Sequence, residues 1–306
     1  MNQERPARLR VGLIGAGRAG CVIAAALARA GHQVVAVNAI SQQSQKRSSA
    51  LIPQARFADP IDVSAEADLL LLAVPDDVLA DLVSGLVASD AIRAGQIVVH
   101  LSGRYGIDVL GPAQRIGALC VAMHPVMTFT GAAFEVERLD GCPFGISASD
   151  EHHAVAQALV LEMGGEPQFI EPNSRALYHA ALSHASNHLV TVIAQAEDLL
   201  TQAGIDSPGQ FLAPLVSASL DNVLRSGDAA LTGPVSRGDV ETLGTHLTAL
   251  QERIESASDR ATFDAYEVLA RATAIRTLAS HRLTAAQVDP MLDLLDGEHP
   301  KAKDQG

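Results

Sequence analysis

The chain has 306 residues, of which 48% are hydrophobic, 19% charged and 3% aromatic, and it contains no Trp. This composition is typical of a globular protein and excludes a disordered or collagen-like chain. Acidic residues outnumber basic ones by 35 to 22, which gives a net charge of −13 at pH 7, so a basic surface for nucleic acid is not expected. The length is about twice that of a typical domain and predicts two domains.

The cysteines give no sign of a disulfide framework or a zinc site. Cys21, Cys120 and Cys142 are odd in number, widely spaced and without a CxxC pair, as is typical of a reducing cytoplasm. No signal peptide precedes the first strand, and no charge-free stretch of about 18 apolar residues follows. We therefore expect a cytoplasmic protein without a membrane segment and without a catalytic cysteine.

Strand and helix patterns alternate through the first half of the chain. Compact apolar runs predict strands, and Ala-rich stretches that end at Gly predict the helices between them. The predicted strands are 9–14, 34–37, 69–74, 97–101, 118–123, 144–147 and 168–170, and the predicted helices include 19–30 and 153–163. This alternation indicates a parallel, doubly wound α/β sheet.

After residue 172 the pattern changes to long Ala- and Leu-rich helical periodicity. Helices are predicted at 174–203 and 253–280, so an all-α domain follows the α/β domain. The predicted division is 1–172 for the sheet domain, 173–296 for the helical domain and 297–306 for a disordered tail.

A glycine-rich turn follows the first predicted strand. Gly15, Gly17 and Gly20 form GAGRAG at a strand-to-helix junction, where glycines permit a tight turn and close approach of the backbone to a pyrophosphate. The first N–H groups of the helix favour phosphate there. The turn, including Arg18 and Ala19, is therefore predicted to bind a dinucleotide, with a purely structural turn as the alternative.

The residues after the second predicted strand favour NADP(H) over NAD(H). An acid at this point usually binds the free 2′-hydroxyl of NAD. The chain instead has Asn38, followed by Ser41, Lys46 and Arg47, with no acid up to residue 48. These residues suit a 2′-phosphate, and an ordinary solvated helix start is the alternative.

Polar residues collect where the predicted strands end, and ligands of open α/β sheets lie outside the carboxyl ends of the strands. The residues at these positions are Val74, Pro75, Asp76, His100, Ser102 and His124. We expect them beside the nicotinamide. For His100 and His124 the alternative is a hydrogen-bonded histidine at the edge of the core.

One face of the first long helix carries many polar residues among Ala, Leu and Val. The residues at spacings of three and four are His179, Ser183, Ser186 and Asn187. Such spacing places them on one helix face, which favours a functional role over a purely structural helix. His184 and His188 are also four apart, but no acid or Cys nearby completes a ligand set, so no metal site is predicted.

A segment of the second half reads LTGPVSRGD and brings Arg237 and Asp239 into a region poor in charge. Thr232 begins a turn or helix entry there. Thr232 and Asp239 are candidate substrate ligands. Two further candidates are Asn222, which lies upstream, and Ser183 on the long helix. Pairing of Arg237 with Asp239 at a helix N-terminus is the alternative.

Ordered motifs along nearly the whole chain resemble a family of bacterial proteins in which a Rossmann-like domain precedes a helical domain related to the C-terminal domain of 6-phosphogluconate dehydrogenase. The motifs are GAGRAG, AVPDD (73–77), HLSG (100–103), HPVMTF (124–129), YHAA (178–181), SNHL (186–189) and LTGPVSRGD (231–239). Some members resemble alternative ketopantoate reductases, which reduce 2-dehydropantoate with NADPH in pantothenate biosynthesis. The resemblance also implies a homodimer, since the long helices of such domains often pack against a second subunit.

The resemblance assigns roles on the long helix. The wider group of β-hydroxyacid dehydrogenases uses a KxxN pair, in which Lys polarises the substrate oxygen and Asn positions it. His184 and Asn187 hold this spacing, and no Lys occurs between residues 47 and 300. The proton would then come from His179, in YHAA, or from His184. Asn187 would orient the substrate, and Arg237 would bind its carboxylate.

The expected function is therefore NADPH-dependent reduction of a small 2-oxo acid, with ketopantoate as the leading candidate and a CH–OH compound as product. Two alternatives remain open: a reductase of another hydroxy acid or of an imine, and a non-catalytic NADP-binding sensor. Without the resemblance, the residues support only a nicotinamide-dependent oxidoreductase.

Overall fold

The structure, a computed structural model, describes residues 8–297. The predicted disordered tail lies outside these residues except for Gly297. The chain forms two compact units, of which the first ends at His188 and the second begins at Leu189. Among residues 8–297, no helix combines the length and apolar character needed to span a membrane.

The first unit is built on one sheet. Its strands are β1 (Arg10–Ile14), β2 (Gln33–Asn38), β3 (Arg56–Phe57), β4 (Leu69–Leu72), β5 (Ile97–His100), β6 (Leu119–Pro125), β7 (Pro143–Ala148) and β8 (Glu166–Phe169). Their spatial order is β3-β2-β1-β4-β5-β6-β7-β8. Neighbouring strands are parallel except for β6 and β7, which are antiparallel. The predicted doubly wound α/β sheet is confirmed.

Helices cover both faces of the sheet. They are α1 (Arg18–Arg29), α2 (Gln42–Leu51), α3 (Pro60–Glu66), α4 (Asp76–Ala88), α5 (Gly111–Arg115) and α6 (His153–Glu162). In β4, Leu69 and Leu71 pack into the core with α1 and α6, whereas Leu70 and Leu72 pack with α3, α4 and α5. The central strands are therefore apolar on both faces, which is why short apolar runs predict them. The sequence misses β3 because a two-residue edge strand has no such run.

The second unit is helical, as predicted. The long helix α7 (Arg175–Gln202) begins in the first unit, and the helices that follow are α8 (Pro208–Ser226), α9 (Pro234–Arg237), α10 (Val240–Gln251), α11 (Ala257–Ala279) and α12 (Ala285–Leu295). A core between α10, α11 and α12 contains Leu243, Phe263, Ala274, Val288 and Met291. No residue of α8 is buried.

The units divide inside α7, whereas the sequence pattern changes near residue 172, because the first turn of α7 is anchored in the sheet. Arg175 is only 1% exposed. Its Nε donates to Ser147 Oγ at 3.0 Å, and its Nη2 donates to the carbonyl oxygens of Ala122 and Gly145 at 3.2 and 3.3 Å. Burial lowers the pKa of the guanidinium, which arginine nevertheless keeps protonated.

This anchor can be tested by substitution. Arg175→Ala removes three hydrogen bonds and leaves a void, so we expect the free energy of unfolding to fall by about 2–4 kcal/mol. Arg175→Met keeps most of the volume and removes the cost of burying a cation, so its loss should be smaller. Urea denaturation at constant pH measures both changes. Equal losses for the two variants, or no loss for either, would contradict the anchoring role.

Candidate functional site

The glycine-rich turn after β1 has two tightly packed glycines and one open glycine. Gly15 has φ +95°, and a Cβ there would lie 2.5 Å from the carbonyl oxygen of Ala73. A Cβ on Gly20 would lie 2.5 Å from the carbonyl oxygen of Gly15. Gly17 is exposed, and a Cβ on it would meet its nearest atom at 3.9 Å. The fold therefore requires Gly15 and Gly20, whereas Gly17 leaves a free backbone surface for a ligand.

The N-terminus of α1 is available to an anion. Gly17 is its N-cap, and no side chain caps the helix. The first backbone N–H groups of a helix have no partner within it, and together with the helix dipole they favour phosphate. Arg18 is exposed at the first position, so this helix start also carries a cation.

Among the residues predicted to select NADP(H), Arg47 reaches the turn. Its Nη1 donates to the carbonyl oxygen of Ala16 at 3.1 Å. Asn38 Nδ2 donates to the carbonyl oxygen of Ala58 at 3.0 Å, which ties β2 to the segment after β3. Ser41 caps α2 by accepting the backbone N–H of Ser44 at 3.1 Å, and Lys46 is exposed on the same helix.

His100 shapes the loop after β5. The ring is fully buried, its Nδ1 accepts the backbone N–H of Ser102 at 3.2 Å, and its Nε2 lies 2.9 Å from the carbonyl oxygen of Gly106. Burial lowers the pKa of His100 to about 4, so the ring is neutral at pH 7. Val74, Pro75 and Asp76 lie at the carboxyl end of β4, where α4 begins.

The segment after β6 is held by a buried carboxylate. Glu135, 1% exposed, accepts the N–H and the hydroxyl of Thr130 and the N–H groups of Gly131 and Ala132 at 2.8–3.2 Å. Burial raises the pKa of this carboxyl, but the four hydrogen bonds lower it more, so the net shift is downward. The charged form thus fixes the turn that follows the HPVMTF motif.

Three motifs meet near the carboxyl end of β6. The pairing of β5 with β6 ends at His100 opposite Ala122, so His124, which pairs with Gly145 of β7, lies beyond the end of β5. His124 Nδ1 lies 2.9 Å from the hydroxyl of Tyr178, and its ring centroid lies 6.0 Å from that of His179. A Cβ on Gly103 would lie 2.9 Å from His124 Nε2 and 2.7 Å from His179 Cδ2. The HLSG, HPVMTF and YHAA motifs therefore form one cluster.

The side chains of this cluster are partly buried. Burial lowers the pKa of His124 to about 4, the charges of His179 and Arg175 lower it further, and Asp76 opposes the shift. Burial also raises the pKa of Tyr178. At pH 7 the imidazole of His124 is therefore neutral, and the phenol of Tyr178 keeps its proton.

A cavity of about 350 Å³ lies next to the cluster. Its lining residues are His124, Val126, Met127, Thr128, His179, Leu182, Ser183, Ala185, Ser186 and Asn187. The residues from α7 follow the helical spacing of the predicted polar face. None of the lining residues is Lys, Arg, Asp or Glu, so the cavity suits a small molecule recognised by neutral hydrogen-bonding groups.

The other predicted site residues do not line this cavity. His184 is exposed, and its Nδ1 lies 2.8 Å from Nδ1 of His188 on the next turn. The remaining four, which lie in the second unit, are Asn222 on α8, Thr232, Arg237 at the end of α9, and Asp239. Asp239 caps α10 by accepting the N–H and the hydroxyl of Thr242 at 3.0 and 2.7 Å. The structure therefore gives Asp239 a helix-capping role.

The sequence reasoning assigned no role to Arg175, Tyr178, Gly103 or Gly145. Tyr178 and Gly103 belong to the YHAA and HLSG motifs, which could have drawn attention to them. Gly145 makes room for the Tyr178 ring, because a Cβ there would lie 2.6 Å from Cζ of the tyrosine. Arg175 had no sequence signal, since a single Arg at a helix start is usually exposed.

Burial makes the three cysteine thiols poor nucleophiles. The three cysteines are buried, and burial raises the pKa of Cys21 to about 11 and that of Cys120 to about 12. Their thiols stay protonated and unreactive at neutral pH. Within residues 8–297, no three or more His, Cys, Asp or Glu side chains are grouped to hold a metal ion.

The chain matches two known domain families. Residues 1–125 match the Rossmann-like domain, and residues 142–273 match a domain of unknown function, DUF2520. No curated protein matches the chain at a significant level.

Solved structures with similar folds include several reductases. A candidate NADP oxidoreductase from Bacteroides fragilis is 25% identical, with a TM-score of 0.73 over 87% of this chain and 98% of its own. An imine reductase from a Pseudomonas species is 18% identical, with a TM-score of 0.62 over 94% and 100%. A Plasmodium falciparum pyrroline carboxylate reductase with NADP bound is 12% identical, with a TM-score of 0.54 over 87% and 98%.

The last two similarities concern the fold alone. All three nevertheless extend over both halves of the chain, in agreement with the two domain matches. The chain therefore carries a Rossmann-like N-terminal domain followed by a DUF2520 domain that is largely helical.

Proposed function

We propose that the protein is an NADP(H)-dependent reductase of a small molecule. The observation that carries this proposal is the placement of two features at the carboxyl edge of one sheet. The glycine-rich turn follows β1, and the cavity with His124 and His179 lies at the end of β6, beyond the end of β5. The 25% identity to a candidate NADP oxidoreductase supports the same conclusion.

The residues of the turn fit a dinucleotide. Gly17 and the uncapped N–H groups of α1 would hold the pyrophosphate, and Arg18 would add positive charge. Lys46, Arg47 and Ser41 would serve the 2′-phosphate, with no carboxylate at Asn38 to repel it. When bound, reduced NADP supplies a hydride to the substrate.

A substitution at Gly17 is expected to weaken cofactor binding without destabilising the fold. Gly17→Ala has room in the protein itself but occupies the surface that a pyrophosphate would approach, so we expect NADPH to bind roughly tenfold or more weakly with unchanged stability. Gly20→Ala is the control, because its Cβ would collide with the carbonyl oxygen of Gly15 and should destabilise the fold. Fluorescence titration and urea denaturation measure the two effects. Unchanged NADPH affinity in a folded Gly17→Ala protein would contradict the assigned site.

The same titrations test the choice of cofactor. NADPH should bind more tightly than NADH. The difference in affinity between the two cofactors should be smaller in the Lys46→Ala, Arg47→Ala double variant. Tighter binding of NADH, or an unchanged preference in the double variant, would argue against the 2′-phosphate site.

His179 is the proposed proton donor. In the reaction the substrate carbon accepts the hydride, the attached oxygen or nitrogen accepts a proton from His179, and solvent then reprotonates the imidazole. Ser183, Ser186 and Asn187 share the cavity-facing side of α7 with His179. They would orient the substrate through hydrogen bonds.

The substrate we propose first is a small 2-oxo acid, with ketopantoate as the specific candidate implied by the resemblance of the motifs. In this proposal Arg237 binds the carboxylate, since the lining of the 350 Å³ cavity contains no Lys or Arg. The absence of Lys, Arg, Asp and Glu from this lining favours a second candidate class, substrates without a charged group close to the reacting bond, including neutral imines.

The catalytic assignment predicts different effects for two histidines of α7. His179→Ala should lower turnover by about 10²–10⁴-fold with little change in NADPH affinity, because it removes the proton donor. His184→Ala should stay close to wild type, since that ring is exposed and paired with His188. NADPH oxidation with ketopantoate, other 2-oxo acids, neutral ketones and cyclic imines provides the measurement. Normal turnover by His179→Ala would overturn the role, and NADPH binding without any turnover would favour the sensor alternative.

We also propose a homodimer formed through α7 and α8. In the second unit α8 leaves apolar side chains open to solvent: Phe211 is 62% exposed and Leu215 65% exposed. Leu215 also lines an apolar cavity of about 580 Å³, to which α7 contributes Leu189 and Ile193. Exposed apolar surface of this kind is typical of an interface between subunits.

Charges placed on this surface should separate the subunits. The Phe211→Asp, Leu215→Asp double variant should sediment as a monomer with unchanged helical content, because the interface would have to bury two carboxylates. Leu161→Asp on α6 is the control, as Leu161 is equally exposed at 60% but lies on the first unit. Sedimentation velocity at micromolar concentration gives the result, and a monomeric wild type would refute the dimer.

A further inference from the structure

The hydroxyl of Tyr178 fixes one edge of the His124 ring. The oxygen lies 2.9 Å from Nδ1, and the two rings meet edge to face at an interplanar angle of 88°. Tyr178 can approach so closely because Gly145, which pairs with His124 across β6 and β7, has no side chain. Backbone spacing therefore determines where both rings lie.

The chemistry of the pair determines where the protons are. Tyr178 keeps its proton at neutral pH, and its O–H needs an acceptor because the ring is half-buried. Nδ1 of His124 is the acceptor at hydrogen-bonding distance. A neutral imidazole carries one N–H, so a ring that accepts at Nδ1 has its hydrogen on Nε2.

We propose that His124 is a fixed, neutral hydrogen-bond donor whose Nε2–H binds the reacting group of the substrate in the adjoining cavity. The proposal rests on the reductase function and adds a residue and a substrate class to it. Tyr178 acts through His124 and is therefore a positioning residue, whereas His124 contacts the substrate.

The surroundings of His124 keep the ring in this state. Burial, His179 and Arg175 all disfavour the imidazolium, and only Asp76 favours it. The ring is thus a donor that does not titrate near neutral pH. His179 is left as the group that transfers a proton, so the two histidines have separate roles.

A fixed N–H donor selects substrates that offer a lone pair. A carbonyl oxygen has one at the reacting bond, whereas the nitrogen of a protonated imine has none, and no lining residue of the cavity is an acid that would attract that cation. During reduction, negative charge develops on the carbonyl oxygen as the carbon accepts the hydride. Nε2–H stabilises this charge until His179 protonates the oxygen. The geometry therefore favours carbonyl substrates over protonated imines.

The protonation state can be measured without a substrate. Long-range ¹H–¹⁵N correlation spectra of the full-length protein at pH 7, assigned by comparison with His124→Gln, should show a neutral His124 with its hydrogen on Nε2. In Tyr178→Phe the His124 ring should no longer be held in this single tautomer. If the role of Tyr178 were purely structural, the tautomer of His124 would be unchanged. A wild-type ring that is protonated on Nδ1, or on both nitrogens, would overturn the proposal.

Kinetics on the substrate panel test the contact. His124→Leu should lower kcat by roughly 10²–10³-fold at unchanged NADPH affinity, and His124→Gln, whose amide N–H can still donate, should recover part of the loss. Ketones or 2-oxo acids should be reduced faster than cyclic imines at a pH where the imine is protonated. Full turnover by His124→Leu, or a preference for the protonated imine, would refute the role.

Failure of the inference and failure of the proposed function give different results. If the wild type reduces no compound of the panel, the reductase function is wrong, and the spectra alone decide whether His124 is a fixed neutral donor. If the wild type is active and His124→Leu is equally active, the reductase function is supported and the proposed contact of His124 with the substrate is wrong.

Discussion

The buried guanidinium of Arg175 joins the start of α7 to the junction of β6 and β7. Its acceptors, two backbone carbonyls and the hydroxyl of Ser147, are all neutral. A buried cation without a carboxylate partner is costly, and such an arrangement persists only where the surrounding structure determines it closely. Since helical side chains three and four residues apart share a face, Tyr178 and His179 are positioned by the same anchor.

Local groups, and not the overall charge, set the electrostatics of the two candidate binding regions. The chain carries a net charge of −13, which would oppose an anionic cofactor at long range. Salt screens such repulsion over about 8–10 Å, so at the proposed cofactor turn the N–H groups of α1 and the guanidinium of Arg47 would outweigh it. At the other region, burial keeps the imidazole of His124 uncharged.

The spacing of the apolar residues and the positions of Gly and Pro were sufficient to predict much of the architecture. Each of the seven predicted strands overlaps an observed strand, with ends within two residues. The polar face of α7 was also predicted, because helical geometry fixes which side chains are neighbours. His179, Ser183, Ser186 and Asn187 do line one cavity.

What the sequence could not provide were features that depend on distances between segments far apart in the chain. Gly103 and Gly145 matter because aromatic rings approach their backbone, and no local pattern reveals such an approach. Ser41 and Asp239 were candidates for ligand contacts, yet both cap helices, since a short polar side chain before a helix serves either purpose. His100 and His124 looked equivalent, and only the greater length of β6 brings one of them to the cavity.

The antiparallel contact between β6 and β7 marks the boundary between the two matched families. The first match ends at residue 125, where β6 ends, and the second begins at residue 142, just before β7. The second module therefore consists of two strands of the sheet together with the helices, and the sheet itself is a composite. A chimaera that exchanged the C-terminal modules of two relatives at this boundary would replace Gly145, Arg175, Tyr178 and His179 together. Ala122 and His124 on β6 would stay behind with the glycine-rich turn, so the proposed proton donor and the proposed hydrogen-bond donor to the substrate would come from different parents.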